Sequence, residues 1–322
     1  MLEHSSDNLS RAVLQTVAYS DIFDYPLTAH EIHRYLIGVE ASLEEVARTV
    51  EDEEIFTRTG DYFTLPGREE IVNIRMNREV RSRELLSQAM KYGRMLGALP
   101  YIRMVALTGS LAVMNVSGNQ DFDYMLVTVP GRVWTARAFA LAINRLASVR
   151  GYTLCPNLII SETALEWNVH DLYSAREVCQ MKLIKGKDVY MRLMKVNAWI
   201  RDFLPNAFNA NSMNATNKAQ NSLVRGIRVE RFQHLLETLL PGSLGDRFEN
   251  WEMNRKIARF SKQAGFGEET IFNTEICQGN FHHHRQWTHE AFEERLSALA
   301  AVLGGEVALT QLSRTAIGAH RL

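Results

Sequence analysis

Leu107-Thr108-Gly109-Ser110 and, after a gap of ten residues, Asp121-Phe122-Asp123-Tyr124 are the stretch from which the rest of the chain can be read. Apolar runs flank it. Arg103-Met104-Val105-Ala106-Leu107 leads in, and Tyr124-Met125-Leu126-Val127-Thr128-Val129 leads out. Side chains two apart on a strand point the same way, so Asp121 and Asp123 are expected side by side on one sheet face. Two such carboxylates repel when ionised, and a divalent cation relieves that repulsion. All-oxygen ligands suit Mg²⁺ or Mn²⁺. Gly109, lacking a Cβ, lets the backbone approach a phosphate closely. Ser110 opens an expected helix whose free N–H groups favour an anion. A phosphate cradle beside a metal pair is the equipment for metal-assisted phosphoryl or nucleotidyl transfer.

At Gly109, Ser110, Asp121 and Asp123, and in the spacing between the two pairs, the chain resembles the nucleotidyltransferase superfamily typified by DNA polymerase β. The resemblance covers roughly residues 100–165. It implies a mixed sheet flanked by helices, an NTP as substrate, Mg²⁺ or Mn²⁺ held by Asp121 and Asp123, and β- and γ-phosphates held by Gly109 and Ser110. The superfamily usually carries a third carboxylate on the next strand. Here that strand reads Tyr152-Thr153-Leu154-Cys155 and Leu158-Ile159-Ile160, with Pro156 marking an edge position or a bulge and Asn157 where the carboxylate is expected. Asparagine can ligate a metal through its carbonyl oxygen but cannot serve as a base. The expected catalytic set is therefore Asp121, Asp123 and Asn157, with Glu162 the nearest alternative carboxylate. Leu154-Cys155-Pro156-Asn157 together with Asn197-Ala198-Trp199 is similar to bacterial nucleotidyltransferase-like proteins with a winged-helix front end. That likeness runs to about Pro205.

Residues 1–66 read as three helices and a hairpin. Helix periodicity runs from Leu9 to Ser20, and Thr28 and Ser42 each start a helix with a glutamate three residues on, Glu31 and Glu45. That is the capping-box signature. Strands at Ile55–Arg58 and Tyr62–Leu65 follow around Thr59-Gly60-Asp61, which completes the outline of a winged helix. The third helix carries Glu44, Glu45, Glu51, Asp52, Glu53 and Glu54 around Arg48. Such a surface repels phosphates, so DNA binding is disfavoured and protein packing preferred.

A connecting helix at 67–99 holds Arg68, Arg75, Arg78, Arg81, Arg83, Lys91 and Arg94, read as a solvated face. The nucleotidyltransferase domain is expected at 100–207, ending in helices 172–181 and 189–203 around a turn with Lys182, Lys185 and Lys187. Phe208–Asn221 is rich in asparagine and reads as a flexible linker. Residues 222–322 read as a helical region, including an amphipathic stretch Leu223–Leu240. His282-His283-His284 lacks ligand spacing for zinc, leaving surface or interface histidines as the reading.

The chain has 322 residues and a net charge of −1, from 36 Lys+Arg against 37 Asp+Glu, so no global charge pulls it toward nucleic acid or membrane. Three scattered cysteines form neither a zinc spacing nor a disulfide framework, which points to a reducing cytoplasm. The N-terminal residues are polar, unlike a signal peptide, and no apolar run reaches membrane-spanning length. The expected fold class is α+β: a winged helix, a central polymerase-β-like sheet with helices, and a C-terminal helical region. The expected function is transfer of a nucleoside monophosphate from an NTP to an unidentified acceptor. The alternative is a non-catalytic nucleotide-binding or regulatory module that docks through its N-terminal domain.

Overall fold

The computed structural model describes residues 2–118, 121–217, 233, 237, 242–267 and 269–303. In chain order, α1 (Leu2–Asp21), β1 (Leu27–Thr28), α2 (Ala29–Arg34), α3 (Leu43–Asp52), β2 (Thr57–Thr59) and β3 (Tyr62–Thr64) form the N-terminal part. Its small sheet has the order β1-β3-β2, antiparallel throughout. Thr28 and Ser42 begin α2 and α3 with complete capping boxes, as the Thr/Ser-x-x-Glu spacing predicts.

The long α4 (Ile71–Gly97) leads to β4 (Ile102–Leu107), the short α5 (Gly109–Ala112) and β5 (Asp121–Thr128). Then come α6 (Val133–Ser148), β6 (Thr153–Ser161), α7 (Leu172–Gln180), β7 (Lys182–Lys185), α8 (Lys187–Val196), α9 (Ile200–Phe203) and α10 (Pro205–Asn217). Beyond lie α11 (Gly242–Phe260), β8 (Thr270–Phe272), β9 (Ile276–Gly279) and α12 (His284–Leu303). The fold is mixed α+β around a six-stranded sheet of order β7-β4-β5-β6-β9-β8. Only β5 and β6 pair in parallel, and α6 joins them.

Both faces of this sheet are covered, which is why β4 and β5 are apolar almost without interruption. Val105, Leu107, Phe122, Tyr124 and Leu126 face α4 and α6. Met104, Ala106, Met125 and Val127 face a second core that contains α7, α8 and the N-terminal helices together. The N-terminal part thus shares its hydrophobic core with the sheet.

Several expectations change here. The lysine turn is the edge strand β7, and Lys185 donates to the carbonyls of Gly97 (2.6 Å) and Ile102 (3.3 Å) and to Gln233 (2.6 Å). The asparagine-rich linker is helical to Asn217. Asn206 donates to the carbonyls of His33 and Ala41, while Asn211 donates to Cys179 O and accepts from Arg34. Amides that read as linker composition are cross-links between the N-terminal part and the sheet domain. Residues 218–221, and Leu223–Leu240 apart from Gln233 and Glu237, lie outside the described residues. The C-terminal region contributes a hairpin, β8–β9, so β6 is an interior strand. Pro156 marks a bulge rather than an edge. The arginines just before and at the start of α4 are bonded instead of solvated: Arg68 to Asp21 and Asp24, Arg75 to Glu31, Arg78 to Asp24 and Asn115. Arg83, Lys91 and Arg94 are exposed. Among the described residues no helix is long and apolar enough to cross a membrane.

Candidate functional site

The alternation of β5 sorts its side chains cleanly. Phe122, Tyr124 and Leu126 enter one core, so Asp121 and Asp123 share the opposite face with Met125 and Val127. The strand pairing then sets their neighbours. Leu107 pairs with Tyr124, and the Thr108 N–H donates to Asp123 O at 2.9 Å, which puts Thr108 directly across from Asp123 on the same face. On the other side Asp123 is in register with Cys155, whose thiol donates to its carboxylate. A row Thr108–Asp123–Cys155 therefore crosses three strands at the end where β4 terminates and β5 begins.

Gly109 turns the chain at this row with φ +66°. A Cβ there would run into the Asp123 carboxylate. Both the left-handed conformation and the close approach require glycine. Ser110 follows, exposed, in α5, which is only one turn long. The loop beyond it is tied down on several sides. Tyr25 donates to Val113 O, Asn115 to Phe23 O, and Arg81 to Gly118 O, while the Val116 N–H donates to Ser82. The Gly-Ser turn is thus braced by α4 and the N-terminal part.

The electrostatics leave the site short of positive charge. Burial, and then the charge of Asp121, push Asp123 up to about 6, with the Cys155 hydrogen bond opposing the rise. Neither aspartate has an ion-pair partner among the described residues. Cys155 is exposed, like Asn157, yet desolvation of its thiol and the charges of Asp123 and Asp121 push it up to about 12, so it remains protonated. Thr108, 7% exposed, has a hydroxyl with no hydrogen-bond partner. Glu177 on α7 is raised to about 7 by burial and by the charge of Asp123. Lys182 pairs in register with Leu107, and so lies on the edge strand beside the end of β4; burial and then Arg34 lower its pKa.

The residues singled out from sequence divide accordingly. Gly109, Ser110, Asp121 and Asp123 come together. Asn157 does not join the row: a bulge between Cys155 and Leu158 leaves it exposed, and Cys155 takes the place beside Asp123. Glu162 is excluded by distance. It lies seven residues beyond Cys155, roughly 20 Å along the strand, where it pairs with Arg192 and Arg103. Thr108, Cys155 and Glu177 are the residues that sequence reasoning missed. Thr108 was recoverable from strand parity, whereas Cys155 depends on the β5–β6 register that the bulge sets, and Glu177 on neither. The histidine run brings His282 and His284 to a ring separation of 5.8 Å. Among the described residues no three His, Cys, Asp or Glu side chains converge closely enough to hold an ion by themselves.

The donor set of the row nevertheless fits a divalent cation whose remaining ligands come from a bound phosphate. It offers two unpaired carboxylates, a free hydroxyl, and a turn that only glycine can make. No family model, curated protein or solved structure matches the chain.

Proposed function

We propose that this chain is a metal-dependent nucleotidyltransferase of the polymerase-β type with a winged-helix N-terminal domain. It transfers a nucleoside monophosphate from an NTP to an acceptor. The observation that carries the reading is the meeting of Gly109 and the unpaired Asp121–Asp123 pair on one sheet face, with the buried Thr108 hydroxyl left for a ligand. Asp121 and Asp123 would hold Mg²⁺ or Mn²⁺, which supplies charge neutralisation for the leaving pyrophosphate. Gly109, Ser110 and Thr108 bind the phosphates through N–H and hydroxyl donors. The N-terminal part serves as a brace, consistent with the ion pairs that tie Arg68 and Arg75 to it.

A second reading, a nucleotide-binding module without transfer, is favoured by one observation: Cys155, a neutral thiol, stands where a third carboxylate would. Calorimetric titration with each NTP, with and without Mg²⁺, tests both. Mg²⁺-dependent binding that disappears in Asp121→Asn and Asp123→Asn supports the site. Binding unchanged in both variants sinks it. Pyrophosphate release on top of binding distinguishes enzyme from module.

A further inference from the structure

The helix α11 buries charged residues and exposes an apolar line. A surface helix normally turns its apolar stripe to the core, and α11 does so only near its end, where Met253, Ile257 and Phe260 pack beside α6. Over its first half the buried positions are Gly245, Glu249 and Glu252, while Leu244 (59%), Phe248 (38%) and Trp251 (56%) are exposed. Polar pins fix that orientation. The Glu249 carboxylate accepts the Trp134 and Thr135 N–H groups (2.8 and 2.7 Å), free donors at the start of α6, and the Thr135 hydroxyl (2.6 Å). Asp246 pairs with Arg132, and Glu252 with Arg255 and Lys256.

Leu244, Phe248 and Trp251 follow one another at helical spacing, so they form one line along α11, roughly 10 Å long. The Phe248 and Trp251 rings are 5.8 Å apart. Arg255 continues the line, its guanidinium 5.0 Å over the Trp251 ring. By the same periodicity Arg247 and Arg259 fall on either side of it. Both are exposed, as is Lys262 just beyond the helix, and none of the three has an ion-pair partner among the described residues. Asn250 and Asn254, also exposed, are neutral. The carboxylates of α11 are turned inward or paired, and α6, on which it lies, contains no aspartate or glutamate. The outward face is therefore apolar along its centre and cationic at its edges, without a counter-charge of its own.

We infer that α11 docks the protein on an anionic lipid surface: Leu244, Phe248 and Trp251 enter the boundary between headgroups and acyl chains, and Arg247, Arg259 and Lys262 meet the headgroup phosphates. Leucine and aromatic side chains bordered by basic ones are the equipment of helices that lie in that boundary. Each basic residue near the surface adds to the attraction. Other occupants fit less well. Single-stranded nucleic acid stacks its bases on aromatic faces, yet Leu244, the most exposed of the line, has none, and Arg255 lies over one face of Trp251. A second copy would bring a like-charged face against this one. Lying on a membrane requires no spanning segment, and the inference does not depend on the nucleotidyltransferase reading. The chain as a whole carries −1, so attraction to anionic lipid has to come from a local patch such as this.

The test is sedimentation of the intact protein with vesicles of phosphatidylcholine alone or of equal parts phosphatidylcholine and phosphatidylglycerol. A single-stranded RNA oligomer, followed by fluorescence anisotropy, and analytical ultracentrifugation without lipid cover the other occupants. The protein should bind the anionic vesicles about tenfold or more tighter than the neutral ones. That affinity should fall about tenfold or more in Phe248→Ser with Trp251→Ser, and likewise in Arg247→Glu with Arg259→Glu, with thermal unfolding unchanged. The two pairs change different side chains, so one that fails to fold leaves the other to decide. Absence of binding to the anionic vesicles, equal binding to both compositions, or binding that a folded pair leaves unchanged overturns the inference. RNA binding or self-association that these substitutions abolish, in a protein that ignores vesicles, would overturn it in favour of that occupant.

Discussion

Asp123 is the residue at which the site's constraints meet. Its carboxylate lies against the backbone of Gly109, receives the Cys155 thiol and feels Asp121. Gly109→Ala must take up a left-handed φ and push into that carboxylate. A loss of about 1–3 kcal/mol in unfolding free energy is expected, read by denaturant titration, together with loss of Mg²⁺-dependent nucleotide binding. Cys155 offers the sharper experiment. An aspartate there stands in register with Asp123 and adds a third oxygen ligand, whereas an aspartate at Asn157 sits in the bulge, exposed. Cys155→Asp is therefore expected to tighten Mn²⁺ by about tenfold or more and Asn157→Asp to leave it unchanged, measured by electron paramagnetic resonance titration. The reverse order would mean that the bulge presents Asn157 to the site after all.

At the scale of elements, two polar clamps hold the architecture around the row. Glu31 closes the capping box of α2 and also accepts both terminal nitrogens of Arg75 (2.7 and 2.8 Å), which stacks on Tyr25 and Tyr62. Burial alone would raise the Glu31 carboxyl. The Arg75 hydrogen bonds and charge, with those of Thr28, outweigh burial and hold it below its usual value near 4.5. A depressed carboxyl stabilises the fold above its unfolded pKa, and that contribution is lost as pH falls through the lower, folded value. The gap in melting temperature between wild type and Glu31→Gln should thus be largest near neutral pH and close below about pH 4.5. A gap that persists undiminished at pH 3 would show that packing, not ionisation, makes the contribution. The second clamp is Asn197. Asn197→Ala leaves the Trp167 N–H, Trp199 Nε1 and Leu165 O without that partner, while Leu193 O keeps the backbone N–H of residue 197, and a loss of about 3 kcal/mol is expected, read by urea unfolding.

At the scale of the molecule, the N-terminal part and the sheet are one folding unit. Val13, Val17, Leu27 and Val46 belong to the same apolar cluster as Met104, Met125 and Leu193. The C-terminal α12 returns to α1, with Phe292 edge-on to Tyr19 at 5.2 Å and Arg295 paired to Asp21. Residues 1–66 expressed alone leave that cluster half exposed and should show no cooperative thermal transition by circular dichroism. A sharp, reversible melt of this fragment would mean that its own helices suffice. The same arrangement bears on nucleic acid. The exposed acidic α3, whose Arg48 is already paired with Glu44, should leave the intact chain without appreciable affinity for duplex DNA at physiological salt, as fluorescence anisotropy would show.

What the amino-acid sequence determined by itself is whatever acts within a few residues. Thr28 with Glu31 and Ser42 with Glu45 start helices because a hydroxyl and a carboxylate three apart satisfy free N–H groups locally. Asp121 and Asp123 share a face because strand parity is local, and Gly109 turns the chain because only it tolerates that φ. What the tertiary structure decided depends on partners far along the chain. One extra residue in β6 shifted the register, so that Cys155 rather than Asn157 faces Asp123. The arginines of α4 and the asparagines of α10 read as solvated or flexible because their composition matches a surface. Partners in the N-terminal part, the Glu31 carboxylate for Arg75, the His33 carbonyl for Asn206 and the Arg34 guanidinium for Asn211, the last two more than a hundred residues away, make them bonds across the interior. The hairpin β8–β9, only three and four residues per strand, has too little periodicity to declare itself. It becomes sheet because β6 offers it an open edge, and with that pairing a cavity floored by β6 and the hairpin comes into being.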